Sequence, residues 1–321
     1  MTRLSLRAVT RSGLAGRFMA MVVCLLALQC SRPTGGPSAP TPPSTPTPQP
    51  PSVPTPTPTP PGPQVFVGAG DIAGRTTQAS AEATARLLDT IGGTVFTLGD
   101  NAYPNGSVED YREAYEPTWG RHKARTRPSP GNHDYNTPNA GPYYDYFGAN
   151  AGPPGQGYYS YELGAWHIIS LNSDTRVALG GQFAWLQQDL AEHRQNKCTL
   201  AYWHHPLFSS GPGGNNLHMR ETFRLLYDHH VDVVLNGHDH AYERFAEQNA
   251  DGRHEPNRGI RQFVVGTGGF TPYNFVAVRP NVESQITNIA AVLKMTLNAD
   301  TYGWELITPN GVRDQGLWGC H

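Results

Sequence analysis

The stretch Val231-Asp232-Val233-Val234-Leu235-Asn236-Gly237-His238-Asp239-His240 joins a short apolar run to a glycine and two histidines. The run from Val231 to Leu235 reads as a buried strand. In extended chain, residues two apart point to one side, so His238 and His240 face together and Asp239 faces away. The same pattern recurs upstream. The apolar run from Val65 to Ala69 leads into Gly70-Asp71, and that from Thr94 to Leu98 leads into Gly99-Asp100-Asn101-Ala102-Tyr103. Thr199 to Trp203 leads into His204-His205-Pro206, and Gly131-Asn132-His133-Asp134 offers the same residue types. Further strands are expected at Trp166 to Leu171, Gln262 to Val265, Ala290 to Leu297 and Tyr302 to Ile307. Between them lie helical patterns. Ser80 to Leu88 places Ala83, Leu87 and Leu88 on one face, and Gln182 to His193 turns Phe183, Leu186 and Leu190 inward. A third helix is expected over Met219 to His229. Strands alternating with helices predict an α/β domain, with the donors gathered at the carboxyl ends of strands, where open α/β sheets hold ligands. Asn136 to Gly157, rich in Gly, Pro, Asn and Tyr, predicts a long loop beside that site.

Carboxylate and amide oxygens mixed with imidazole suit iron, manganese or zinc. A shared aspartate can hold two such ions about 3.5–4 Å apart. The glycines before Asp71, Asp100, Asn132 and His238 are expected to permit the sharp turns that bring backbone close to the ions. Taken singly, each residue has a plainer explanation. Asp71 would serve as a helix cap, Tyr103 as a packed aromatic, Asn132 as a turn residue and His204 as a satisfied core histidine. Their joint order favours a metal centre. His122, His193, His229 and His254 are read as scattered surface residues.

The ordered set Gly-Asp, Gly-Asp-x-x-Tyr, Gly-Asn-His-Asp, a histidine after a strand, and Gly-His-x-His resembles the calcineurin-like metallophosphoesterase superfamily. Within it the chain looks most like the purple acid phosphatase branch. The superfamily's opening Asp-x-His is here Asp71-Ile72-Ala73, with Tyr103 standing for the missing ligand. Gly237-His238-Asp239-His240-Ala241-Tyr242-Glu243-Arg244 is close to the branch's Gly-His-x-His-Ala-Tyr-Glu-Arg. The resemblance covers about Gln64 to His321 and implies a metallophosphoesterase-type β-sandwich of mixed sheets flanked by helices. It implies two metal ions. The first would take Asp71, Tyr103, His240 and the shared Asp100, and the second Asp100, Asn132, His204 and His238. A phenolate favours Fe(III) at the first site, with Fe, Zn or Mn at the second. His204 is preferred to His205 because the family places its ligand two residues before Pro206, and strand alternation would send His205 to the other face. His133 would protonate the leaving group with Asp134 orienting its ring, His218 would face substrate, and Tyr242-Glu243-Arg244 would hold His238 and His240. The implied reaction is hydrolysis of a phosphate monoester by a hydroxide held on the metals. Two alternatives remain open, a phosphodiesterase or nucleotide hydrolase on the same metal pair, and a non-catalytic surface module with structural metals.

Outward from this core, the amino-terminal part has a different character. Arg3, Arg7, Arg11 and Arg17 precede an apolar run from Phe18 to Leu28. That run is short for a bilayer span, which needs roughly 20 residues, and residues 1–30 read as a secretory signal. Leu26-Ala27-Leu28-Gln29-Cys30 resembles a lipoprotein cleavage box, which makes Cys30 the candidate for a lipid anchor. Residues 31–63 are dominated by Pro, Thr and Ser and predict a polyproline-rich disordered linker; residues 64–321 form the catalytic domain. The chain is expected to be exported to the periplasm, the cell surface or the medium. There Cys198 and Cys320 either pair or remain separate thiols. Lys+Arg total 24 against 26 Asp+Glu, and no basic stripe marks a nucleic-acid surface.

Overall fold

The structure is a computed structural model and describes residue 36, residues 62–178 and residues 180–321. The expected signal, Cys30 and, apart from residue 36, the linker as far as residue 61 lie outside the described residues. The first strands are β1 (Gln64–Ala69), β2 (Ala73–Gly74), β3 (Thr94–Leu98), β4 (Ala102–Tyr103) and β5 (Thr126–Ser129). They are followed by β6 (Tyr159–Leu163), β7 (Trp166–Ser170), β8 (Cys198–Trp203), β9 (Val233–Asn236) and β10 (Tyr242–Phe245). The last are β11 (Arg261–Val265), β12 (Val282–Ile286), β13 (Val292–Leu297), β14 (Thr301–Thr308) and β15 (Gly311–Gly319).

These form two large mixed sheets. One has the order β15-β14-β13-β1-β3-β5 and the other β12-β10-β11-β9-β8-β7-β6, while β2 and β4 pair as a small ribbon. The parallel strands β1, β3 and β5 lie side by side, as do β7, β8, β9 and β11. The apolar runs Phe66–Ala69, Val95–Leu98, Trp166–Ile169, Leu200–Trp203, Val233–Leu235 and Phe263–Val265 are buried, as strands covered on both faces require. Phe66 of one sheet meets Tyr202 of the other with ring centroids 5.7 Å apart, and Phe66 lies 4.6 Å from Phe96. The α/β sandwich of mixed sheets with flanking helices expected above is the observed architecture.

The helices differ from expectation in their buried stripes. The first runs Gln78–Thr90 and buries Ala81, Thr84, Ala85 and Leu88 rather than Ala83 and Leu87. Thr84 belongs on that face because its hydroxyl donates to the Gly268 carbonyl at 2.5 Å and accepts from the Trp119 indole at 2.9 Å. Helix Gly181–Glu192 buries Gln182 and Asp189 beside Leu186 and Leu190. The Gln182 amide both donates to and accepts from the Asn172 backbone. Apolar periodicity cannot register such satisfied polar positions. The third helix is Arg220–Asp228, with Met219 in the preceding turn. The long loop expected from Asn136 to Gly157 instead contains a helix, Gly141–Phe147, which buries Tyr143 and Phe147.

Cys198 and Cys320 form a disulfide with 5.5 Å between Cα atoms. Cys198 opens β8 in one sheet, and Cys320 follows β15, the edge strand of the other. The bridge therefore ties the two sheets together.

Candidate metal centre

Short loops leaving the carboxyl ends of β1, β3, β8 and β9 converge, together with the loop after β5. Asp71, Asp100 and His238 all adopt left-handed backbone, with φ of 60°, 49° and 74°. Such conformations cost on the order of 1–3 kcal/mol each in non-glycine residues, so the surrounding structure must impose them. Turn freedom was expected from the preceding glycines, and Gly99 supplies it with φ of 81°, while Asp71, Asp100 and His238 take left-handed φ themselves. Gly70, Gly131 and Gly237 act through close approach. A Cβ on Gly131 would stand 2.2 Å from Asp100 Oδ1 and 2.3 Å from Asp100 N. Gly131→Ala must therefore displace Asp100. It should destabilise the fold by roughly 1–3 kcal/mol and weaken metal retention; chemical denaturation with metal analysis would expose an unaffected variant.

The donor atoms fall into two overlapping groups. In the first, Tyr103 OH lies 2.9 Å from Asp71 Oδ1, 3.0 Å from Asp100 Oδ2 and 3.1 Å from His240 Nε2. In the second, His204 Nε2 lies 3.0 Å from Asn132 Oδ1, 3.3 Å from Asp100 Oδ2 and 3.3 Å from His238 Nδ1. Asp100 Oδ2 belongs to both. Spacings near 3 Å are the polyhedron edges of donors held about 2.0–2.2 Å from a common ion.

The surroundings fit cations as well. Asp71 and Asp100 are at most 1% exposed. Among the described residues, no Lys or Arg nitrogen lies within 4.0 Å of either carboxylate, and histidines are the only basic side chains that approach them. Burying uncompensated carboxylates is costly, and metal ions would supply the compensation. The imidazoles are oriented from behind. His204 Nδ1 donates to the Leu98 carbonyl at 2.7 Å, and His240 Nδ1 donates to the Thr271 carbonyl at 2.6 Å. Each ring thus points its opposite nitrogen toward the centre, where ligation requires that nitrogen to be unprotonated.

Electrostatic shifts among these groups show the same tension. Burial pushes the Tyr103 hydroxyl well above the ordinary tyrosine range, and the Asp100 and Asp71 carboxylates push it further. A phenolate at this position needs a cation beside it. Burial opposes charging His204, yet the Asp100 and Asp71 carboxylates and the Leu98 carbonyl together outweigh this and raise its pKa to about 9. Burial and the His204 charge together lower that of His238.

The structure brings together Asp71, Asp100, Tyr103, Asn132, His204, His238 and His240. His133 lies on the wall of a cleft of about 220 Å³ with Asp100, Asn132, Pro212, Gly213, His238, His240 and Tyr273. Asp134 does not orient the His133 ring. Its carboxylate accepts from Gly131 N, the Asn101 amide and Tyr111 OH, and the ring is held by its Nδ1 on the Pro104 carbonyl at 2.6 Å. His218 Nε2 is engaged with the Ser173 carbonyl at 3.0 Å, and its ring is 5.6 Å from His205. Tyr242 and Arg244 bind Asp314, and Glu243 accepts from Ser210 N and Gln285. Through these contacts they anchor β10 rather than touch the histidines.

Three neighbours escaped the sequence reading. The His205 ring sits 4.4 Å from His238, with its Nδ1 2.9 Å from Ser173 Oγ. Strand alternation should have turned it away, but β8 ends at Trp203 and the rule lapses there. Phe270 stacks on Tyr103 at 3.6 Å and 3°, and Tyr273 stacks on His240 at 3.9 Å and 12°. Both follow a strand and a glycine-rich turn, as the donors do, but Phe270 carries no donor atom and Tyr273 lies outside the motifs that were matched. Among the histidines read as plain surface, His122 is buried against the Ala85 carbonyl, and His193 stacks on His167.

The family model described as calcineurin-like phosphoesterase matches residues 60–242. An acid phosphatase of Aspergillus ficuum is 32% identical over 148 residues, covering 39% of this chain and 24% of the fungal protein. Purple acid phosphatase 18 of Arabidopsis thaliana is 34% identical over 122 residues, covering 35% of this chain and 26% of the plant protein. The match thus spans about a quarter of the length of these curated relatives. The purple acid phosphatase PPD1 of yellow lupin, Lupinus luteus, superposes with a TM-score of 0.61 at 18% identity, covering 80% of this chain and 54% of that one.

Proposed function

The chain belongs to the calcineurin-like phosphoesterase family, and from that premise we propose that it is an exported phosphatase that hydrolyses phosphate monoesters at a pair of metal ions. The observation that carries this reading is the sharing of Asp100 Oδ2 between two donor groups, 3.0 Å from Tyr103 OH and 3.3 Å from His204 Nε2. The residues that would hold the first ion are Asp71, Asp100, Tyr103 and His240, and those for the second are Asp100, Asn132, His204 and His238. When bound, the two cations offset phosphate charge and acidify a water for attack on phosphorus.

The chain's own residues do the positioning. Asp100 is fixed for its bridging role because its Oδ1 accepts from His133 N at 2.8 Å. Asn132 contributes a neutral oxygen, which limits the negative charge facing an anionic substrate. His133 is one-third exposed on the cleft wall, and Pro104 fixes its ring through Nδ1. Its Nε2 is thereby turned from Pro104 and is assigned to deliver the proton that the departing alkoxide needs. His133→Gln should slow alkyl esters more than p-nitrophenyl phosphate, whose leaving group needs little protonation. Equal slowing of both esters would remove this role.

Export is supported by the arginine-rich leader with its short apolar run and by the paired Cys198 and Cys320, since such bridges persist in oxidising compartments.

The deciding experiment combines metal analysis, a visible spectrum and ester turnover on the purified chain. Two metals per chain, turnover of a monoester above bis(p-nitrophenyl) phosphate, and a visible band lost in Tyr103→Phe are the expected results. Zinc alone with no band would remove the Fe(III)–tyrosinate assignment. Faster diester cleavage would move the activity to phosphodiesters. A loaded chain that turns over no ester would leave a structural metal pair.

A further inference from the structure

We propose that the chain carries a second cation site, separate from the metal pair, in which Glu162, His167 and His193 hold one divalent ion of the zinc or nickel class. Glu162 lies on β6 directly opposite His167 on β7, and His193 caps the end of helix Gly181–Glu192. The fold thus brings a hairpin and a helix terminus to one point.

Both rings are anchored from behind by one residue. His167 Nε2 is 2.8 Å from the Asp189 carboxylate, and His193 Nδ1 donates to the Asp189 carbonyl at 2.8 Å. The opposite nitrogens converge on a single oxygen. His167 Nδ1 is 2.8 Å and His193 Nε2 is 3.9 Å from Glu162 Oε1. Ligating histidines are commonly prepared in this way, with the far nitrogen tied to a carboxylate or carbonyl. The other Glu162 oxygen accepts from the Asn196 amide at 2.8 Å, and an ion bound at Oε1 takes the place of the proton that His167 Nδ1 shares with it at 2.8 Å. Asp189 is itself steadied by Ser160 Oγ at 2.5 Å.

Two imidazoles and one carboxylate match a borderline ion with water completing its coordination, and match magnesium or calcium poorly. A cleft of about 300 Å³, lined in part by His167, His193, Asn196 and His229, gives the ion access. Arg194 and Lys197 also line that cleft; Lys197 Nζ stands 3.8 Å from Asp300. His167 and Asp189 are buried at 1% and 7% side-chain exposure, whereas His193 is 34% exposed. The two rings are stacked at 3.9 Å and 12°, and an ion must lie near both ring planes. Binding therefore requires His193 to tilt off the stack while His167 stays in place. The site is remote from the metal pair. His167 pairs with Thr199, five residues before His204 on the same strand path, which is roughly 17 Å at about 3.3 Å per residue.

An ion here would staple the β6–β7 hairpin to the helix and stabilise the folded state by mass action. The test uses the full chain with its metal pair filled, titrated with zinc chloride and followed by equilibrium dialysis and thermal unfolding. The wild type should bind one zinc more than either Glu162→Gln or His193→Ala. Zinc should raise its unfolding midpoint by several degrees, a shift that both variants lose. Equal zinc counts in all three proteins would overturn the site, as would a zinc-induced shift that survives in His193→Ala. Neither readout depends on ester turnover, so the outcome is independent of the proposed activity.

Discussion

Asp100→Asn should lower kcat/KM for a phosphate monoester by at least about 10³-fold, which corresponds to about 4 kcal/mol of lost transition-state stabilisation. The side chain changes by one atom and keeps its volume, so packing against Gly131 survives. The charge and the donor pattern do not. Asp100 Oδ1 accepts from His133 N at 2.8 Å, while Oδ2 accepts from Tyr103 OH and lies 3.3 Å from His204 Nε2. An amide has one acceptor oxygen. If that oxygen keeps His133 N, an NH2 group faces the position shared by both donor groups and cannot bridge two cations. If it turns the other way, two N–H groups confront each other at His133. Either orientation should release at least one metal, so the metal count should fall together with the rate. Full activity with two metals retained would contradict the bridging role.

Removal of the Cys198–Cys320 bridge is the second large effect. The cysteines are 122 residues apart, and the chain-entropy model assigns a loop of that length about 5 kcal/mol. Replacing both with Ala should lower unfolding free energy by up to that amount, as measured by urea denaturation of oxidised wild type and variant. Local contacts will recover part of the loss, since Cys320 N donates to the Asp300 carbonyl at 2.9 Å and His321 N to Asp232 at 2.9 Å. A loss below about 1 kcal/mol would mean that these contacts alone secure β15 against the rest of the domain. Turnover at room temperature should survive. Cys198 opens β8 and His204 follows its far end, a separation of roughly 20 Å at about 3.3 Å per residue.

Legibility varied along the chain for identifiable reasons. Strands β1, β3, β7, β8 and β9 were read within a few residues because sheets covered on both faces demand uninterrupted apolar runs. Strand β5, Thr126-Arg127-Pro128-Ser129, carries an arginine and a proline and offers no such signal. Proline is tolerated there because β5 is an edge strand. Strand β15 also forms an edge, and its residues are largely exposed, so no face is marked by hydrophobicity. The helix Gly141–Phe147 was hidden by its glycine, proline and tyrosines, although Tyr143 and Phe147 pack into the core.

The sequence by itself offered the candidate donors and their order, because Asp71, Asp100, Asn132, His204 and His238 each follow an apolar run or a glycine, His240 shares a face with His238 by spacing, and Tyr103 is implied by the family resemblance. It also determined the α/β class, which follows from periodicity alone. The sharing of Asp100 was implied by the resemblance, but only the tertiary structure decided that Oδ2 is the shared atom, since that depends on strands brought side by side from distant parts of the chain. It also decided that His205 returns toward the centre, that Pro104 rather than Asp134 holds His133, and that His193 lies on His167. Those contacts arise where regular backbone ends and pattern rules lapse, so geometry between remote segments settles them.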